Sequence, residues 1–222
     1  MSGPFLQFEN VQVVRGTTCV LEIPALSAPA GELTLITGEN GAGKTTLMLA
    51  AGGLLDLARG KIELMGELFH SGRAPAPRRL RRKLAFVFQD PYLFGGSVRS
   101  NLTYGLKIRG VDRNRRRKLA VEMLERLGIA ELARRPAGDL SGGERKLVAL
   151  GRALVLEPEV LYLDELTASL DDEARARAIE LIGERITEHG TSVLMATHLE
   201  GEARGLSSNE IRLRGGRLYA EE

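Results

Sequence analysis

The chain has 222 residues, 43% of them hydrophobic and 27% charged, the balance of one folded domain and not of a disordered segment. A formal net charge of +2 is too small to argue for a nucleic-acid partner, and no apolar run reaches the roughly 18 residues that a membrane span needs. The first residues carry neither a basic stretch nor an apolar core of a secretory signal, and a single cysteine, Cys19, cannot close an internal disulfide, so a reducing, cytosolic setting is expected.

In chain order, the first sixty residues read as β-rich. Leu6, Phe8, Val11 and Val13 alternate with polar neighbours, and Val20–Ile23 follows a turn at Gly16-Thr17-Thr18. Leu33–Thr37 is a short apolar strand that runs into a glycine-rich loop and then a helix from Lys44 to about Ala51. Lys61–Phe69, broken at Gly66, is a predicted hairpin, and Leu84–Phe88 has the length of a buried strand. From Ser97 to about Leu156 the period becomes helical. Ala120, Met123, Leu124 and Leu127 share one face, with Asp112 as N-cap and Gly128 as stop. Strand texture returns at Val160–Leu163 and Ser192–Ala196, on either side of a helix from Asp171 to about Glu188, and a last hairpin turns at Gly215-Gly216. Strands alternating with helices imply a parallel sheet with right-handed crossovers. The central helical block interrupts that pattern as an insertion. Two basic runs, Arg78–Lys83 and Arg115–Lys118, lack interleaved aromatics and are read as solvated faces, not nucleic-acid or lipid contacts.

Gly38-Glu39-Asn40-Gly41-Ala42-Gly43-Lys44-Thr45 matches G-x-x-x-x-G-K-[ST], between a strand and a helix. Its glycines let successive N–H groups turn inward onto an anion, and the following helix adds its positive end. Lys44 reaches the β- and γ-phosphates, and the Thr45 hydroxyl is a hard oxygen ligand for Mg²⁺, with Thr46 beside it. The pattern therefore binds a nucleoside triphosphate. Val160–Leu163 ends in Asp164-Glu165. At the carboxyl end of a parallel strand, Asp164 is placed to hold Mg²⁺ and Glu165 to orient and deprotonate the attacking water. His198, just past the Ser192–Ala196 strand, is a candidate γ-phosphate contact.

Leu140-Ser141-Gly142-Gly143-Glu144 opens a helix between these two sites. With the phosphate loop before it and Asp164-Glu165 after it, it resembles the signature of ABC ATPases over essentially the whole chain. The resemblance implies an α/β fold, with a RecA-like P-loop parallel core, an N-terminal antiparallel β-subdomain and an inserted helical subdomain. The core and β-region would take residues 1–89 and about 157–222, and the helical part about 90–156. It implies that Gln89 is the Q-loop residue contacting the γ-phosphate and Mg²⁺, that Asp171 closes a D-loop after Ser169-Leu170, and that His198 is the switch histidine. It further implies a homodimer, or a pair with a homologous ATPase subunit. ATP is then sandwiched between the phosphate loop of one chain and Ser141, Gly142 and Gly143 of the other. Family members dock a membrane permease beside the Gln89 segment, on the inner face of the cell membrane. Asp90–Gly110 looks most like importer ATPases of tungstate-type oxyanion systems.

Three positions depart from the family pattern. Val14-Arg15-Gly16 stands where an adenine-stacking aromatic is usual, so the Arg15 guanidinium is the candidate platform. Leu166 replaces a proline after the catalytic glutamate, and Lys146-Leu147 replace Gln-Arg after the signature. No phosphate, metal or water-handling position is lost, so an active ATPase is expected. An alternative use is a soluble ABC ATPase driving a protein assembly. Nucleic-acid-linked members usually carry two cassettes or a long coiled-coil insertion, and this sequence has neither. With so few residues after the last hairpin, no regulatory domain is expected behind it.

Overall fold

The computed structural model describes residues 3–197 and 207–219. Strand β1 (Pro4–Arg15) pairs antiparallel with β2 (Thr18–Pro29) and with β4 (Arg59–Leu64), which pairs with β5 (Glu67–Ser71). The apolar alternation of β1 changes phase between Phe8 and Val11. Asn10 lies there with φ 50°, and the pairing with β4 slips between Glu9 and Gln12. The slip acts as a bulge: it absorbs the odd residue, so that Leu6, Phe8, Val11 and Val13 are all buried on the core side.

The second half of the sheet is parallel. β3 (Leu33–Thr37), β6 (Leu84–Val87), β7 (Val160–Asp164), β8 (Ser192–Ala196) and β9 (Ser207–Arg214) run in the order β9-β3-β8-β7-β6. β3, β7 and β8 are buried at every position, as strands covered on both faces must be. One face carries α1 (Lys44–Ala51), whose Leu47, Met48 and Ala51 share a core with Ile36, Tyr162 and Leu194. The Tyr162 hydroxyl, wholly buried, donates to the Ala51 carbonyl at 3.1 Å and pins the end of α1 to β7. The other face carries α5 (Gly142–Leu154) and α6 (Asp172–His189). The two-residue strand β10 (Arg217–Leu218) pairs antiparallel with β9 and parallel with β2, joining both halves into a single sheet of ten strands.

Between β6 and β7 stand α3 (Val98–Ile108), α4 (Arg113–Arg126) and α5. Each begins on a side-chain cap. Ser97 accepts from Ser100 N–H, Asp112 from Asn114 and Arg115 N–H, and Ser141 from Glu144 N–H. The predicted Asp112 cap and the stop before Gly128, at φ 69°, are both present. Fully buried Asn101 accepts from Phe94 N–H at 2.8 Å and donates to Phe94 O at 3.0 Å, which fastens the segment leading out of β6 onto α3. The first basic run forms the short helix α2 (Arg78–Arg81) and its exit, with Arg79 paired to Glu67 and Lys83 to Glu159. Among the described residues no helix is long and apolar enough to cross a membrane.

Candidate active site

The register of the parallel strands brings the chemistry together. Ile36, Ala196 and Asp164 sit in one row across β3, β8 and β7, so the glycine loop and the acidic pair emerge from the same sheet edge. Glu165 N–H donates to Ala196 O at 3.0 Å and Thr197 N–H to Ile36 O at 3.3 Å, which continues the row past the strand ends. His198 follows directly but lies outside the described residues.

Gly38, Gly41 and Gly43 adopt φ of 142°, 81° and 104°, and a Cβ on Gly38 would stand 2.3 Å from Leu213 O. Only glycine allows this path. Glu39, Asn40 and Gly41 are exposed at the crown of the loop, Ala42 is buried beneath it, and Thr45 and Thr46 open the first turn of α1. No acidic residue lies in that turn, so the helix N-terminus is free to attract an anion. The Lys44 ammonium is buried inside the curl, donating to Gly38 O at 2.7 Å and Glu39 O at 3.2 Å.

Asp164 is buried at the end of β7. Burial pushes its carboxyl above the ordinary range, opposed by a hydrogen bond from the Thr45 hydroxyl. Its Oδ1 has no hydrogen-bond partner among the described residues. A buried carboxylate oxygen left over, beside a hydroxyl, is a donor set that suits a hard divalent cation such as Mg²⁺. Glu165 has left-handed backbone, φ 47°, and its Oε2 accepts from Gln89 Nε2 at 2.9 Å. Gln89 is delivered by β6, which runs beside β7. Lys44, Thr45, Asp164, Glu165 and Gln89 thus lie together at one end of the parallel strands.

The signature lies elsewhere on the chain surface. Ser141 caps α5 in a capping box: its Oγ accepts from Glu144 N–H at 3.2 Å, and Glu144 Oε2 accepts from Ser141 N–H at 2.7 Å. Arg135 pairs with the other carboxylate oxygen of Glu144 at 3.1 Å. Gly142 and Gly143 form the first turn of α5, and a Cβ on Gly143 would stand 2.9 Å from Ser169 O, so the signature packs on the 169–171 segment. Asp171 caps α6 through Ala174 N–H at 2.8 Å. Arg15 is exposed at the β1–β2 turn, with no aromatic ring beside it in the turn sequence Val14–Gly16.

Two features are not read from the sequence patterns. A cleft of about 630 Å³ runs along Gly38–Ala42 and is lined on its other side by Arg214 and Tyr219, with the guanidinium 5.7 Å over the ring centroid. Lys146, flagged only as a departure after the signature, is buried and donates to Glu165 O at 2.6 Å. Burial lowers its affinity for the proton, while Glu165, Asp90 and Asp164 act against that shift.

A glycine cradle at the head of a helix, an acidic pair at the neighbouring strand end and a capped second helix define a P-loop nucleotide-binding protein with an inserted helical block. The ABC transporter family model matches residues 21–168, and the chain belongs to this family. It is an ATP-binding subunit that hydrolyses ATP. It is 36% identical over 209 residues to the tungstate uptake system ATP-binding protein of Peptoclostridium acidaminophilum, covering 94% of each chain. It is 35% identical to the Fe(3+) ions import ATP-binding protein of Streptomyces coelicolor, covering 98% of this chain but 62% of that one. Its fold superposes with a TM-score of 0.86, at 25% identity, on an ATP-binding cassette solved as a dimer in a post-hydrolysis state with ADP and Pi; the match covers 98% and 97% of the two chains.

Proposed function

We propose that two such chains, or one with a homologous partner, close around two ATP molecules and drive a separate membrane permease that imports a small oxyanion, tungstate being the first candidate. The observation that carries the mechanism is the shared row of Ile36, Ala196 and Asp164, which sets loop and acids on one edge. The cargo rests on the tungstate uptake relative, matched along nearly its full length.

In this reading Gly38, Glu39, Asn40, Gly41, Ala42 and Gly43 offer backbone to the phosphates, Lys44 neutralises the β- and γ-oxygens, and Arg15 stacks on adenine. Thr45, Asp164 and Gln89 hold Mg²⁺, which when bound offsets phosphate charge. Glu165 accepts a proton from the water that attacks the γ-phosphorus, while the bond to the bridging oxygen breaks to give ADP and phosphate. His198 contacts the γ-phosphate. Ser141, Gly142 and Gly143 of the partner cover the same nucleotide, and Asp171 lies at the seam between the chains. The permease docks on the cytoplasmic side, in the groove beside Gln89, where Tyr92, Phe94 and Tyr104 expose a cluster of rings backed by Arg152, 5.3 Å over Phe94.

Two substitutions test the motor. Lys44→Ala is expected to abolish tight ATP binding in a nucleotide titration. Glu165→Gln is expected to keep binding and trap an ATP-bound dimer on size exclusion, with turnover lowered by on the order of a hundredfold or more. Parental turnover in Glu165→Gln would remove Glu165 as the base. For the cargo, tungstate uptake by cells deleted for this chain should return with the parental chain and not with Lys44→Ala.

A further inference from the structure

We propose that Lys146 is a positioning residue for Glu165, holding the backbone of the catalytic glutamate from the signature helix of the same chain. The inference rests on the assignment of Glu165 as the base.

Lysine is rarely buried without a partner, yet Lys146 is 5% exposed. It lies five residues beyond the Ser141 cap of α5, and its Nζ meets Glu165 O at 2.6 Å. Glu165 needs such a restraint. A non-glycine residue at φ 47° sits in a sparsely populated region that typically costs about 1–3 kcal/mol and persists only where its surroundings over-determine it. Here both flanking peptide groups are tied: the N–H to Ala196 O at 3.0 Å and the carbonyl to Lys146. Leu166, next in the chain, has no ring to fix its own φ and contributes burial instead. With both peptide groups held, the Cα–Cβ direction of Glu165 is set by the backbone, and Gln89 Nε2, donating to one carboxylate oxygen at 2.9 Å, restrains the rest of the side chain. The ammonium also stands in the field of Asp90 and Asp164, so a neutral replacement changes the electrostatics of this strand end as well as its geometry.

The test is the full-length protein with Lys146→Met and Lys146→Gln, each compared with the parent for kcat, KM for MgATP and melting temperature. The expected result is a fall in kcat of about tenfold to a hundredfold, the size of loss that misplacing a reacting group produces, with KM close to the parental value and a melting temperature lowered by only a few degrees, as the loss of one buried hydrogen bond gives. Combining Lys146→Met with Glu165→Gln, followed by single-turnover hydrolysis of labelled ATP, should give no further loss beyond Glu165→Gln alone. Should Lys146→Met fail to fold, Lys146→Gln, which keeps a polar end, carries the same measurements. Parental kcat in a folded variant, a loss confined to KM, or an equal added loss in the Glu165→Gln background overturns the proposal. Parental turnover in Glu165→Gln by itself overturns the base assignment instead, so the two failures are distinct.

Discussion

At Ser141 a single hydroxyl can serve a helix and a ligand at once. Its oxygen accepts from Glu144 N–H to start α5, and its proton lies toward the Glu144 carboxylate, from which a phosphate oxygen in the proposed closed dimer would have to draw it. The Glu144 carboxylate closes the box from the other side, and Arg135 balances its charge, which lessens repulsion toward an incoming triphosphate. This arrangement makes a pH prediction. The hydrogen bond from Ser141 N–H holds the Glu144 carboxyl below its ordinary value. A depressed folded value means that its stabilisation is complete above the unfolded glutamate value, near 4.3, and is lost as pH falls through the folded one. Glu144→Gln, neutral throughout, should therefore melt below the parent at pH 7 and converge with it as the pH falls below about 4. Calorimetry across that range decides it, because a constant gap would show that the charge is irrelevant.

At the scale of elements, the phosphate loop is shaped by its own glycines and also by the C-terminal hairpin. Gly216 donates to Ala42 O at 2.8 Å and accepts from Glu22 N–H at 2.8 Å. Its φ is 77°, and an added Cβ would stand 2.4 Å from Val20 O. Gly216→Ala should cost at least about 1–3 kcal/mol and weaken ATP binding, whereas Gly215→Ala, with φ 55° and open space around it, should show the backbone strain alone. Thermal melts and ATP titrations of the pair separate the two effects. This coupling also marks where sequence reasoning stops. The loop, the Asp112 cap, the helix opening at the signature and the buried strand ending in Asp164-Glu165 were legible, because each is a local pattern with a local physical cause. The last hairpin was legible from its turn at Gly215-Gly216, but the parallel pairing of its second strand β10 with β2 was not, since two residues carry no period that points to a distant partner. Nor was the full run of β1, whose alternation breaks at Asn10. The Lys146 contact crosses from one helix to a strand end, and only an unusual residue after the signature hinted at it. The Arg214–Tyr219 wall of the cleft had no sequence signal.

For the whole molecule, in the proposed reading, one chain carries two different half-sites on separate surfaces, a cradle at Gly38–Thr45 and a capped helix end at Ser141. Under two-fold pairing each complete site takes one half from each chain, so defects in different halves must complement. Lys44→Ala spoils the cradle. Ser141→Asp spoils the other half while keeping an efficient N-cap, because aspartate accepts the same backbone hydrogen bond but sets a negative charge against the phosphate. Each variant alone should be nearly inactive. In a mixed dimer the intact cradle of the Ser141→Asp chain faces the intact Ser141 of the Lys44→Ala chain, giving one complete site and one doubly damaged site. An equimolar mixture should then regain activity, up to about a quarter of the parental rate if chains pair at random and each complete site turns over independently. The regained rate should rise and fall with the product of the two concentrations, as a shared site requires. If the mixture stays as inactive as its components while both proteins remain folded and the Ser141→Asp chain still binds ATP, the nucleotide is not shared between chains.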